Sequence, residues 1–287
     1  MILVTGATGQ IGRLVVEQLL KMNVPVRVFV RNEDAFKDFH HVLLEVAAGT
    51  FEDKNSLENA VKGVERLFLV ARDNPDQVVQ HENVIKAAER NGVKHIVKLS
   101  ALGASKDSPI ALMRWHAETE EQLRNSKIDW TFLRPQLYMQ NLLRFGDSVA
   151  SNGCFSTPMG SGEFALVDIR DIAEAAAKVL SGRGHADKIY TLTGPAAVSY
   201  EDIAKHLSAI LQRPINYNQV TQKQFYETLL EKGFPSWRAY DLAYIAEAYS
   251  NNSNKLITND INTLLNRPSV SIQDFLNDYR VNFRDKA

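Results

Sequence analysis

Cysteine is nearly absent: Cys154 is the one thiol in 287 residues. One thiol cannot build an internal disulfide framework, and such a chain fits a reducing, cytoplasmic setting. No histidine neighbours Cys154 in sequence, so packing rather than nucleophilic chemistry is expected of it. No apolar run is long enough to span a bilayer, and strand-like sequence begins at Ile2, so neither a membrane segment nor a signal or transit peptide is expected. Charge of one sign is lacking too. Lys and Arg number 33 against 34 Asp and Glu, for a net charge of -1, which leaves no basic field to draw nucleic acid or an anionic membrane. There is no internal repeat, no metal ligand set is expected, and the Ser250–Asn254 patch of low complexity reads as a loop.

What is present is a large reserve of core-forming residues. With 45% hydrophobic content, the chain can form one large α/β domain, or such a domain with a smaller appendage. Its most informative stretch is Ile2-Leu3-Val4-Thr5-Gly6-Ala7-Thr8-Gly9-Gln10-Ile11-Gly12. An apolar strand breaks at Gly6, and a helix begins near Gln10 with Ile11, Leu14, Val15, Leu19 and Met22 along one face. Glycines at such a bend permit positive φ and close approach of backbone to a ligand. The helix start then offers free N–H groups and a positive dipole end, which suits a pyrophosphate. The spacing is Gly-x-x-Gly-x-x-Gly rather than the commoner Gly-x-Gly-x-x-Gly.

The second strand, Val26 to Val30, ends at Arg31, about twenty residues beyond the glycine turn. NAD-binding proteins place an acid there for the ribose 2′-hydroxyl, whereas an arginine pairs with a 2′-phosphate. Arg31 therefore favours NADP(H) over NAD(H).

Further strands are expected at 43–48, 66–71, 95–99 and 130–135, with helices at 56–61, 77–90 and 109–125 between them. This alternation predicts a doubly wound parallel sheet, the Rossmann α/β class. Phe51, past the third strand, is a candidate stacking face for an adenine or a core residue. Beyond residue 145 the alternation fades. Gly153–Gly162 reads as a loop, followed by a short strand at 164–168, a helix at 169–180 and a strand at 188–192. Ser199 and Asp202 form a capping-box-like pair, and helices follow near 222–232, 236–249 and 271–282. Phe225, Tyr226, Phe234, Trp237, Tyr240, Tyr244 and Tyr249 concentrate there as core, or as walls of an apolar pocket. The expected domains are a dinucleotide-binding domain at 1–145, with returning segments near 165–193, and a smaller, mainly helical substrate domain at 146–287.

Five stretches in order carry a family pattern: Thr5–Gly12, Gly92–Ile96 running into Leu99–Ala101, Thr131–Pro135, Val167–Ala173, and Tyr190–Pro195 with the Ser199–Tyr200 helix start. The chain resembles the NmrA-like branch of the atypical short-chain dehydrogenase/reductase superfamily. Within it, the pattern is nearest to small NADPH-dependent quinone reductases and triphenylmethane-dye reductases. The resemblance implies an NADP(H) cofactor with Gly6, Thr8, Gly9, Gln10, Ile11 and Gly12 at the pyrophosphate and Arg31 at the 2′-phosphate. It also implies Val70, Ala71 and Ser100 along the nicotinamide side, with Pro135 and Leu137 bordering the far end.

One departure matters more. Members with alcohol chemistry carry a Tyr and, four residues on, a Lys; alignment through Glu120 puts Leu112 and His116 there. Without that pair, reduction of a simple ketone lacks its acid. Quinones, azo bonds and triarylmethyl cations are electron-poor and chiefly need stacking at the nicotinamide in a dry pocket. His116 is the candidate to donate a proton or orient the acceptor, or else it is a structural histidine beneath the cofactor. Tyr138 is a candidate to close over the pocket, or a core tyrosine. The expected partner is thus a small hydrophobic or aromatic electron acceptor. The oligomeric state stays open, a homodimer included. The alternative function is a non-catalytic NADP-binding redox sensor.

Overall fold

The computed structural model describes residues 1–246 and 255–284, with the backbone of 247–251. The first half alternates strand and helix: β1 (Ile2–Val4), α1 (Gln10–Lys21), β2 (Val26–Val30), β3 (Leu44–Ala48), α2 (Lys54–Val61), β4 (Arg66–Leu69), α3 (Gln77–Arg90), β5 (His95–Leu99), α4 (Ala111–Arg124) and β6 (Asp129–Pro135). Then come α5 (Gly146–Asn152), β7 (Cys154–Thr157), β8 (Glu163–Phe164), α6 (Ile169–Ser181) and β9 (Lys188–Leu192). The chain continues with β10 (Val198–Ser199), α7 (Tyr200–Leu211), β11 (Asn216–Gln219), α8 (Gln222–Glu231), α9 (Ser236–Asn251), α10 (Asp260–Leu265) and α11 (Ile272–Asp278).

Among the described residues the main sheet has seven strands, in the order β3-β2-β1-β4-β5-β6-β9, and every pairing is parallel. A parallel sheet is covered on both faces, which is why β1 and β5 are buried at every position. Helix α1 packs on α6, while α2, α3 and α4 pack in series. Leu3, Leu67, Leu69, Ile96 and Phe132 from the strands share a core with Leu57, Val84, Ala88 and Leu123 from those three helices. Because the strands are parallel, the ends of β1, β2, β4, β5 and β6 all open on one edge. The strand order reverses between β1 and β4, where open α/β sheets bind ligands.

The chain divides into two compact units. One is Met1–Pro135 with Ile169–Leu192 and Asp260–Arg267; the other is Gln136–Asp168 with the described parts of Thr193–Asn259 and Pro268–Ala287. The division falls at Pro135 rather than at residue 145, because Met139 and Leu142 insert into the second core beside Phe155, Tyr200, Ile203 and Phe275. The 146–287 block is interrupted as well. Asp260 accepts the Thr191 N–H at 2.6 Å, and Arg267 pairs with Asp171 at 2.8 Å and with Glu174, which ties α10 into the first unit.

The second unit departs from expectation in detail. Gly153–Gly162 is not all loop: β7 lies inside it, paired in parallel with β11 from Cys154↔Asn216 to Thr157↔Gln219. Two four-residue strands, one of them Asn-Tyr-Asn-Gln, are too short and too polar to show alternation. The aromatic run is not core either. Phe225, Tyr226, Phe234, Trp237 and Tyr244 are half-buried, and Tyr240 is 49% exposed. The side chain of Tyr249 and residues 252–254 lie outside the described residues, while Ser250 and Asn251 end α9 rather than open a loop. The Ser199–Asp202 capping box is formed, with Ser199 accepting from Asp202 N and the Asp202 carboxylate accepting from Ser199 N.

Thr5 fastens the switch point. Its buried hydroxyl accepts the Val70 N–H at 2.9 Å and lies within 2.9 Å of the Phe68 and Val70 carbonyls, to one of which it donates. Thr5→Val keeps the shape and leaves the Val70 amide without its partner. It is expected to lower stability by about 1–3 kcal/mol, read from urea unfolding. An unchanged midpoint would show that this staple carries no weight.

Candidate functional site

The glycine turn is built by collision limits. Gly6 has φ +58°, and a Cβ there would stand 2.8 Å from the Val70 carbonyl oxygen. Gly12 is tighter still: a Cβ would fall 2.3 Å from the Gly6 carbonyl oxygen. Helix α1 therefore starts hard against the end of β1, and Gly9 N donates to Gly6 O at 2.9 Å to close the turn. Gly9 is the N-cap, no side chain caps the helix, and its first turn has no acidic residue. The first N–H groups of α1 keep no helical partner and point outward beside exposed Thr8, Gly9 and Gln10, whereas Ile11 and Gly12 are buried. That arrangement fits a pyrophosphate: donors, a positive dipole end, and room that only glycine leaves.

The same edge carries the other expected residues of the first unit. Val70 and Ala71 follow β4 and are half-buried; Val70 is the residue that a side chain on Gly6 would strike. Ser100 follows β5 and Pro135 ends β6, the two laced by Ser100 N to Leu133 O at 2.8 Å and Leu102 N to Pro135 O at 3.0 Å. Arg31 follows β2, exposed, with its charge acting on Glu52 across the edge. Phe51 stacks on Phe29 with ring centroids 5.9 Å apart and packs on the sheet core, so the core reading holds for it. Leu137 and Tyr138 belong to the second unit. There Leu137 is half-buried against the second core, and Tyr138 bridges to Val167.

Helix α4 lays a polar face on the end of β5. Ser100 Oγ donates to Glu120 Oε1 at 2.6 Å, and Arg134 Nε donates to the same oxygen at 2.9 Å. Arg124 adds a contact at 3.2 Å to Glu120 Oε2. Burial pushes the Glu120 carboxyl up, but the Arg134 and Ser100 hydrogen bonds outweigh it and hold it below its ordinary value. Glu120 is thus an anchor for the ends of β5 and β6.

One turn earlier on α4 stands His116, 9% exposed. Its Nδ1 lies 3.0 Å from Nζ of Lys98, a fully buried lysine of β5 that also donates to the Leu99 carbonyl at 3.0 Å. Burial lowers the Lys98 ammonium to about 8, against the pull of Glu120 and Asp73. Burial, and then the Lys98 charge, hold His116 well below its ordinary value. His81 of α3, 3.4 Å from Thr119 Oγ1, is lowered in the same way. Sequence reasoning missed Lys98. A charge in a strand normally reads as its solvent face, and the signal was present only in that β5 had to be buried on both faces.

The matches to known proteins follow this geometry. The model of the NmrA-like family matches residues 1–266. The chain belongs to that family. Among relatives, an NAD(P)H azoreductase of Xenophilus azovorans is 37% identical over 235 residues, 82% of each chain. Among solved structures, the NADPH complex of an NADPH-dependent quinone oxidoreductase from Escherichia coli superposes with a TM-score of 0.90. It shares 31% identity and covers 98% of this chain and 100% of its own. A Citrobacter sp. triphenylmethane reductase complexed with NADP(H) gives 0.86 at 31% identity, covering 97% and 99%.

Three buried histidines set an acid limit on stability. His81 and His116 titrate well below 6.5 in the folded chain, and burial brings His95 down to about 4. Unfolded histidines take up protons near 6.5, so below that pH the unfolded state binds more protons and stability is lost as pH falls. Each histidine is expected to subtract up to about 1.4 kcal/mol per pH unit between about pH 6 and 5. A urea midpoint that stays level over that range would show that these imidazoles already titrate normally when folded.

Proposed function

We propose that the protein is an NADPH-dependent reductase that passes hydride to quinone-like, azo or triarylmethyl acceptors without a Tyr–Lys pair. The uncapped start of α1 behind Gly6, Gly9 and Gly12 is the observation that carries it. Gly6, Thr8, Gly9, Gln10, Ile11 and Gly12 hold the pyrophosphate, and Arg31 holds the 2′-phosphate through a charge-assisted fork. Val70, Ala71 and Ser100 line the sheet edge along the nicotinamide side, and Pro135 borders the far end of the cofactor. The bound cofactor supplies a hydride. The family membership, the azoreductase relative and the two reductase structures support the same reading.

The chain's own share is positioning and proton supply. Leu112 and His116 occupy the places of the missing pair, and His116 is the one group there able to donate. A quinone or azo acceptor takes hydride and then one proton; a triarylmethyl cation is neutralised by hydride alone. Such acceptors present broad aromatic faces, and a dry site beside the sheet edge suits them.

Purified protein mixed with NADPH and a panel of quinones, azo dyes and triarylmethane dyes is expected to oxidise NADPH only when an acceptor is added. Tight NADP binding with no turnover on any acceptor would leave the redox-sensor reading in its place. Arg31→Asp is expected to reverse the preference from NADPH toward NADH, by at least tenfold in the ratio of dissociation constants. An unchanged ratio would remove Arg31 from the 2′-phosphate site.

A further inference from the structure

Lys98 is the unexplained group of this site. A lysine is almost never fully buried unless something holds it, yet Lys98 has no exposed surface and contacts His116, the side chain proposed to supply the acceptor's proton. An ammonium has three N–H donors and no acceptor. The 3.0 Å contact to His116 Nδ1 is therefore donated by Lys98, and Nδ1 must be the unprotonated nitrogen. The imidazole proton is then on Nε2. Lys98 also donates to the Leu99 carbonyl, which fixes its head between strand and helix.

We infer that Lys98 is the positioning residue and proton reserve behind His116: it holds the imidazole as the Nε2–H tautomer and protonates Nδ1 as Nε2 gives its proton to the reduced acceptor. This rests on the reductase reading above. The balance is that of a two-electron reduction. Hydride from NADPH brings both electrons and one hydrogen to the acceptor, leaving an oxyanion on a quinone or an anionic nitrogen on an azo compound. The N–H bond at His116 Nε2 breaks to give that anion its proton. A new N–H bond forms at Nδ1 with a proton from Lys98, which becomes a neutral amine. After product leaves, the reverse path through His116 restores the ammonium from water.

The surroundings suit such a step. Lys98 is brought to about 8 by burial, so it is charged near neutrality and gives up a proton far more readily than an exposed lysine. Glu120 of α4 and Asp73 of the loop after β4 favour the ammonium, while His81 of α3 and Arg134 of β6 bear on the same cluster from their own sides. An imidazole alone, held this far below its ordinary value, would not stay protonated to supply the acceptor. The ammonium behind it keeps the proton in store.

The first test needs neither cofactor nor turnover. Long-range proton–nitrogen spectra of histidine-labelled protein are expected to show His116 as a pure Nε2–H tautomer that takes up no proton through the ordinary imidazole range, with a change centred near pH 8 as Lys98 titrates. An Nδ1–H tautomer, or an ordinary imidazolium titration, overturns the inference. Lys98→Met is expected to mix the two tautomers and to lower the ratio of quinone to triarylmethane-dye turnover by more than tenfold. Lys98→Arg should keep the tautomer, because a guanidinium also donates, yet fail to restore that ratio. Equal losses on both acceptors in Lys98→Met would mark Lys98 as merely structural. If wild-type protein reduces neither acceptor while His116 still shows the locked tautomer, the reductase reading fails and the lock stands.

Discussion

The close approach of α1 to the end of β1 is the constraint on which the rest of the site depends. Gly12 packs against the Gly6 carbonyl at a distance no side chain tolerates, and Gly6 turns with positive φ beneath Val70. Any bulk at Gly6 or Gly12 would push the helix start away from the sheet edge. The free N–H groups would then move off the switch point between β1 and β4. Thr5 holds the same junction from the strand side by bridging to Phe68 and Val70. The proposed anion site thus rests on backbone geometry rather than on a cluster of basic side chains, which agrees with a chain of net charge -1.

A second constraint is electrostatic. The sheet buries β5 on both faces, and Lys98 and His116 sit inside that buried layer with Glu120 one turn along α4. Burial alone would neutralise each of them. Glu120 stays ionised through Arg134 and Ser100, Lys98 is kept near its charged form by Glu120 and Asp73, and His116 is held neutral by burial first and by the Lys98 charge second. The groups fix one another's protonation, and His116 occupies one of the two positions where superfamily members with alcohol chemistry are expected to carry Tyr and Lys.

Much of the first unit was legible in the sequence. Strands β2, β5 and β9 and helix α3 fall where apolar runs and caps put them, because long periodic segments carry their own period. The second unit was less so. The parallel pairing of β7 with β11 joins segments about sixty residues apart, and neither is long enough to announce itself. The half-buried aromatics of α8 and α9 follow helical spacing without being core, since spacing shows which residues share a face and not what covers that face.

For the site, the sequence by itself determined the glycine turn, Arg31 and the absence of the Tyr–Lys pair, because each is a matter of residue type at a fixed offset along one strand–turn–helix unit. Only the tertiary structure decided that Lys98 meets His116. The two lie eighteen residues apart on different elements, and a strand lysine turns inward or outward according to what the neighbouring layers leave open. Local chemistry writes the cradle. The proton behind the acceptor is set by which buried side chains the sheet and helices bring face to face.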